Sequence, residues 1–331
     1  MIKIDGSHSG GQTLRTSLSL SILTQKPFKI TNIRGKRDKP GLQSQHLTCV
    51  NAAAKICNAE VKGNKLQSTE LEFKPSKIVS GNYTFDIGTA GSTILVLQTL
   101  LPPLLFGKER SVLKIHGGTS NPLAPPALYA KGVFLWFLKN IGLDIELNVE
   151  KEGFIPKGGG RILSKINPCK KLKPINLTTK GNLKEIYVFA VSSQNLRDKN
   201  IAQRLLDGFV KIIENNLETH KQYVEALDSG CFISAIAKYD KTMIGHTVLG
   251  ELGIKAEDVG KKCAEKLLEE INSNSTVDYF TADQLLIYMA LAKSGKIISS
   301  KITDHIKDNI QVIEKFLDVK FEIKGNEISV K

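Results

Sequence analysis

Three polar loops hold most of the residues able to do chemistry in this chain of 331 residues. The first is RGKRDKPGLQSQH (34–46). Arg34 and Arg37 offer rigid forks of N–H donors that match phosphate oxygens. Gly35 and Gly41 let the backbone approach an anion, and a helix N-terminus follows. Arg15 and His46 are expected nearby. This loop reads as a phosphate site, either of a polyphosphate or of nucleic acid, with a solvated basic turn as the plainer reading. The third loop is Thr303-Asp304-His305. Thr303 or Asp304 can cap a helix beginning near Ile306. His305 then sits at the positive end of a helix dipole, which favours the neutral ring that a histidine nucleophile needs. A solvated first-turn histidine is the alternative. The second loop, GGTSNPLAPP (117–126), is polar, uncharged and stiffened by proline. It suits a rigid wall beside a nucleotide, or a simple crossing.

Glutamines form a second set. Gln12, Gln98 and Gln284 each fall in the helix that precedes one of these loops, and Gln98 and Gln284 interrupt apolar runs. A buried amide needs partners, either structural or a ligand. Asp283 adds a carboxylate that could orient a base, a ribose or the nucleophile. His220 and His246 read as structural or surface residues. No Ser/His/Asp triad spacing, Walker loop or dinucleotide fingerprint occurs.

The elements that must position these residues recur three times: helix, apolar strand, polar loop, second helix, two short strands. The first copy starts at QTLRTSLSLSIL, the second at GSTILVLQTLLPPLL, the third at TADQLLIYMALAKSG. The copies share order and period, not identity, so they should bury their apolar faces against one another and gather their polar loops. Between the second and third copies lies a stretch with a different order: strand 186–191, helix 200–216, strands 222–227, 231–239 and 242–248, helix 256–270. The expected fold is α/β (α+β): three units of two helices on a four-stranded sheet, with a smaller inserted α/β domain. Residues 1–177 and 276–331 would be the repeat domain and 178–275 the insertion.

Composition sets outer bounds. Hydrophobic residues make up 41% and charged residues 24%, as in a globular protein, and no apolar run is long enough for a membrane span. The opening MIKIDGS reads as a strand with no signal-peptide layout, so a cytoplasmic location is expected. Five scattered cysteines show no zinc spacing and read as free thiols. A net charge of +13 favours an anionic partner, nucleic acid first.

The segments IDGS and GGQTLR (within 4–15), IRGKRDKPGLQSQHL (33–47), GTAGSTILVLQTLLP (88–102), GGTSNPLAPP (117–126), GFIPKGGGR (153–161), TADQLL (281–286) and DHIKDNI (304–310) together resemble the RNA 3′-terminal phosphate cyclases. The resemblance runs along essentially the whole chain. It implies ATP-dependent conversion of an RNA 3′-phosphate end to a 2′,3′-cyclic phosphodiester, releasing AMP and diphosphate. It implies His305 as the nucleophile that becomes adenylylated. Gln12, Arg15, Arg34, Arg37, Gln45 and His46 would hold phosphates or the RNA end. Gln98, Pro125, Phe280, Thr281, Ala282, Asp283 and Gln284 would form the adenylate pocket. ATP, RNA with a 3′-phosphate, and a divalent metal (Mg or Mn) are the implied ligands; a homo-oligomer is an open expectation.

Two departures stand out. The family's first loop usually carries a metal-binding glutamate in a longer glycine run. Here it reads Ser7-His8-Ser9-Gly10-Gly11-Gln12, leaving His8 or Asp5 as possible metal ligands. Phe280 stands where many relatives carry tyrosine, which keeps stacking and loses a hydroxyl. The alternative function is a non-catalytic cyclase-like protein that binds RNA in ribosome assembly; the retained His305 argues against it. An enolpyruvyl transferase of similar units is a more distant reading, since those enzymes are larger.

Overall fold

The computed structural model describes every residue except Ser9, Leu123 and Asn215, one each in the first glycine loop, the proline loop and the stretch 200–216 read as helix. Those three lie outside the described residues.

The first unit runs β1 (Ile2–Asp5), α1 (Gln12–Thr24), β2 (Phe28–Thr31), α2 (Ser44–Lys55), β3 (Glu60–Lys62), β4 (Leu71–Lys74). The second runs β5 (Asn82–Asp86), α3 (Thr93–Leu105), β6 (Ser111–Gly117), α4 (Ala127–Tyr129) continuing through a π turn (Ala130–Phe134) into α5 (Leu135–Asn140), then β7 (Ile145–Lys151) and β8 (Gly160–Ile166). After β9 (Ile175–Asn176) come β10 (Leu183–Ser193), α6 (Ile201–Val210), β11 (Leu217–Val224), β12 (Cys231–Tyr239), β13 (Met243–Leu249) and α7 (Ala256–Asn272). The third unit closes with α8 (Tyr279–Leu291), β14 (Gly295–Ile298), α9 (Asp304–Phe316), β15 (Phe321–Lys324) and β16 (Glu327–Val330).

Sheet order exposes the repeat. The three unit sheets are β1-β2-β4-β3, β5-β6-β8-β7 and β9-β14-β16-β15. In each, the leading strand is parallel to the second and the last two run antiparallel. The leading strand is the part of each unit that helix-to-strand periodicity did not include. In the third unit it is only Ile175–Asn176, too short to give a period. The chain leaves this unit after Leu177 and returns at Thr276, whose hydroxyl donates to the Leu177 carbonyl at 2.9 Å. The stretch between them forms its own sheet, β11-β10-β12-β13.

The sequence reading of that stretch needs two shifts. The helix expected over 200–216 stops at Val210, and the strand expected over 222–227 starts at Leu217 and ends at Val224. An apolar run that turns into a strand looks like one longer helix until the chain's register on β10 is known. Strand 231–239 matches its expected bounds and is buried on both faces, as its sequence suggested. One face (Ile233, Ala235, Ala237) packs under α6 and α7; Ile236 on the other enters the large core shared by the three units. Gly132 explains the approach: a Cβ there would lie 2.4 Å from Ile236 Cδ1. Gly132 also lies inside the π turn of the α4–α5 helix, which the sequence presented as continuous.

α3 contains Pro102 and Pro103 without stopping at them. Proline removes the N–H that would bond the carbonyl four residues back. For Pro103 that carbonyl is Thr99, and Ser19 of α1 supplies the missing donor at 2.7 Å. The contact also fixes α1 against α3, the two helices that carry Gln12 and Gln98. Among the described residues no helix is long and apolar enough to cross a membrane. The five cysteines are all free.

Candidate active site

The glycine turn before α1 is ringed by donors. Gly10 has φ of +59°, and a Cβ there would lie 3.2 Å from Arg37 Nη2. A Cβ on Gly11 would fall 2.4 Å from His46 Nε2 and 2.7 Å from Arg15 Nη1. Arg15, Arg37 and His46 therefore converge on one turn where only glycine leaves room. His46 belongs to the first turn of α2. Its Nδ1 accepts from the Gln43 N–H at 3.3 Å, which leaves the proton on Nε2, facing the turn. Burial, then the charges of Arg15 and Arg34, push His46 down to about 3. At neutral pH it is an uncharged N–H donor beside two guanidinium groups. This is a cradle for an anion.

Arg34 and Gln45 sit differently from the simple expectation. Arg34 has a left-handed backbone (φ of +55°), and its guanidinium donates to the carbonyls of Lys39 and Gly41 (3.1 Å to Gly41). It braces the loop from within while adding positive charge beside His46. Gln45 Oε1 accepts from the Ser92 N–H at 2.6 Å, joining α2 to the cap of α3.

The three helix glutamines meet. Gln12, Gln98 and Gln284 line one small polar cavity of about 20 Å³ together with Arg15, Thr16, Ser19, Asp283, Ile287 and Asn309. Arg15 donates to Gln12 Oε1 at 2.6 Å. Gln98 is unpartnered within the protein at both Nε2 and Oε1. A buried amide left open in this way is available to a ligand or a water.

Asp283 is the hub. It accepts from Asn309 Nδ2 and from Gln284 Nε2, each at 3.0 Å. Burial raises its pKa, while His305, Asn309, Arg15 and Gln284 pull it back. Asn309 in turn accepts from Thr16 of α1 at 2.7 Å. Thr303 caps α9 by accepting from Ile306 N–H at 3.2 Å, which places His305 in the first turn, exposed to solvent. His305 lies near enough to lower the pKa of Asp283, and Asp283 shares its cavity with Arg15. Sequence reasoning missed Thr16 and Asn309. Asn309 lies on the buried face of α9 with Ile306, Ile310 and Ile313, and the rule that singled out Gln98 would have found it.

Phe280 begins the second structural feature, a cleft of about 1000 Å³ between the proline loop, Phe154–Pro156, β13 and the start of α8. Phe280 and Pro125 both line it, and Phe280 is 41% exposed, so its ring face is open to a ligand. Phe280 and Gln284 are one turn apart on α8, so this helix joins the cleft to the polar cavity. Thr281 and Ala282 line neither. Ala282 is in the core, and the Thr281 hydroxyl is engaged with Tyr129 (2.8 Å) and Asp278. Asp278, also missed from the sequence, caps α8 and accepts from Tyr129 OH (2.5 Å) and from Gly245 N–H (3.2 Å) of β13.

The two candidate metal ligands are otherwise engaged. Asp5 accepts from Ser7 N–H (3.1 Å), Ser7 Oγ (2.9 Å) and Asn32 Nδ2 (3.2 Å). His8 Nδ1 faces the Lys36 ammonium at 3.0 Å. Among the described residues no three His, Cys, Asp or Glu side chains group around a point that could hold a metal ion. These residues do not fit a protein-held divalent ion.

Comparison with known proteins agrees with this geometry. The chain is 43% identical to an RNA 3′-terminal phosphate cyclase of Sulfolobus acidocaldarius over 334 residues, covering 98% of both chains. It is 42% identical to the protein of that name from Sulfurisphaera tokodaii, covering 98% of this chain and 96% of that one. It is 38% identical to that from Ectopseudomonas mendocina, covering 96% and 93%. The profile of the family described as RNA 3′-terminal phosphate cyclase matches residues 7–323. This chain belongs to the RNA 3′-terminal phosphate cyclase family.

Proposed function

We propose that this protein uses ATP to turn an RNA 3′-phosphate end into a 2′,3′-cyclic phosphodiester, through an AMP adduct on His305. The segments 1–177 and 276–331 are the catalytic part in this reading, and the protein works in the cytoplasm. One observation carries it: exposed His305 is electrostatically linked to buried Asp283, and Asp283 shares a cavity with Arg15 of the glycine-turn cradle.

The adenine of ATP stacks on Phe280 against Pro125, and α8 leads its ribose and α-phosphate toward Gln98, Asp283 and Gln284. A ring nitrogen of His305 attacks the α-phosphorus; an N–P bond forms, the bond to diphosphate breaks, and the other ring nitrogen keeps its proton. Asp283 stabilises the positive charge that develops on the ring. Arg15, Arg37 and the neutral Nε2–H of His46 neutralise and orient phosphate oxygens, the main task in this chemistry. An oxygen of the RNA 3′-phosphate then attacks the adenylate, and His305 leaves. The adjacent 2′-hydroxyl attacks the activated 3′-phosphorus, AMP departs, and the hydroxyl proton goes to solvent. A divalent ion that enters with ATP belongs to the substrate.

The test is incubation with ATP and an oligoribonucleotide ending in a 3′-phosphate. A phosphatase-resistant end together with stoichiometric AMP supports the proposal. Tight RNA binding with no AMP released would instead favour the non-catalytic reading.

A further inference from the structure

The large cleft contains two buried polar atoms that nothing in the protein satisfies: Asn121 Oδ1 and Ser120 Oγ. Both belong to the stiff second loop, whose role the sequence left open. An unpaired buried acceptor is costly, so one kept at the wall of a ligand-sized cleft points to a ligand donor.

The direction of the Asn121 amide is fixed. Its Nδ2 donates to the Ala90 carbonyl, and a flipped amide would set two oxygens against each other. The loop behind it is tied on three sides. Gly118 N–H donates to Gly91 O at 2.8 Å, Ala127 N–H to Thr119 O at 2.8 Å, and Gly153 N–H to Thr119 Oγ1 at 2.9 Å. Thr119 Oγ1 also donates to the buried Glu152 carboxylate. Asn121 Oδ1 is therefore a rigid acceptor in the cleft that also holds Phe280 and Pro125.

We propose that Asn121 and Ser120 read the edge of the nucleotide base and select a 6-aminopurine. This rests on the ATP reading above. With the ring on Phe280, the exocyclic amino group donates to Asn121 Oδ1 and the Ser120 hydroxyl donates to the neighbouring ring nitrogen. A 6-oxopurine brings a carbonyl oxygen to face Asn121 Oδ1, an unpaired and repulsive contact. The serine hydroxyl can rotate to accept instead, so discrimination falls on Asn121.

The experiment compares ATP, inosine triphosphate and purine riboside triphosphate as donors of the covalent nucleotide adduct on the wild-type protein. It then repeats ATP and inosine triphosphate on Asn121→Ala. Wild type should prefer ATP over both analogues by roughly tenfold to a hundredfold, and Asn121→Ala should lose most of the preference over inosine triphosphate. Equal use of inosine triphosphate by wild type overturns the proposal whether or not the variant folds, as does an undiminished preference in the variant. Adduct from ATP with no base preference refutes only this inference. No adduct from any nucleotide refutes the ATP reading as well.

Discussion

Asn309 Nδ2 donates to both the backbone carbonyl and the Oδ1 of Asp283, each at 3.0 Å, one helical turn along α9 from His305. This pair locks α8 to α9 and fixes the carboxylate beside the nucleophile. Asn309→Ala should leave a buried acceptor unpaired, which costs about 1–3 kcal/mol of stability. It should slow adduct formation at saturating ATP by more than it weakens ATP binding, because the loss is in positioning. Thermal melts and single-turnover rates check both parts.

Gly11 shows how a backbone position can be functional. Its missing side chain is what lets His46 Nε2 and Arg15 Nη1 close on the turn. Gly11→Ala must displace one or both, so it should reduce affinity for the nucleotide triphosphate about tenfold or more, as expected for losing a charge-assisted hydrogen bond. Calorimetric titration with ATP measures this, and a matched far-UV spectrum shows that α1 is intact.

His46 gives a pH prediction. Its folded pKa is pushed down to about 3 by burial and then by Arg15 and Arg34, against about 6.5 in an unfolded chain. Between those values the unfolded state binds the proton and the folded state does not. The stability it contributes is therefore full above pH 6.5 and is lost as pH falls toward 3. His246, lowered to about 4 chiefly by burial, acts in the same direction. Chemical denaturation from pH 7 to pH 4 should show His46→Gln losing less stability than wild type over that interval. Parallel profiles would contradict the assignment.

Phe280 is the aromatic wall of the large cleft. Phe280→Ala should raise the KM for ATP by an amount corresponding to about 1–3 kcal/mol of lost stacking, with a smaller effect on kcat. Phe280→Tyr should remain close to wild type. Steady-state cyclisation at varied ATP separates the two parameters.

The sequence could be read furthest where a period or a charge pattern was long. The repeated helix–strand–loop order predicted that the glutamines would converge, and Gln12, Gln98 and Gln284 do line one cavity. The basic loop predicted donors around an anion, and Arg37 and His46 meet Arg15 at the glycine turn. What stayed hidden depended on tertiary contacts. Two residues of β9 carry no periodicity, yet they supply the leading strand of the third sheet. Arg34 looked like a free phosphate ligand, but its positive φ turns the guanidinium back onto Lys39 and Gly41. Thr281 and Ala282, expected in the nucleotide pocket, face the core because α8 is buried on nearly all sides and only some of its positions reach a cavity. The Lys36 ammonium beside His8 likewise follows from loop geometry that spacing alone does not carry.

The most direct measurement is labelled AMP retained by the purified protein after incubation with ATP, for wild type and for His305→Ala. The account predicts an acid-labile, base-stable adduct on wild type, removed by adding RNA with a 3′-phosphate, and none on the variant. An adduct of the same yield on His305→Ala would contradict it.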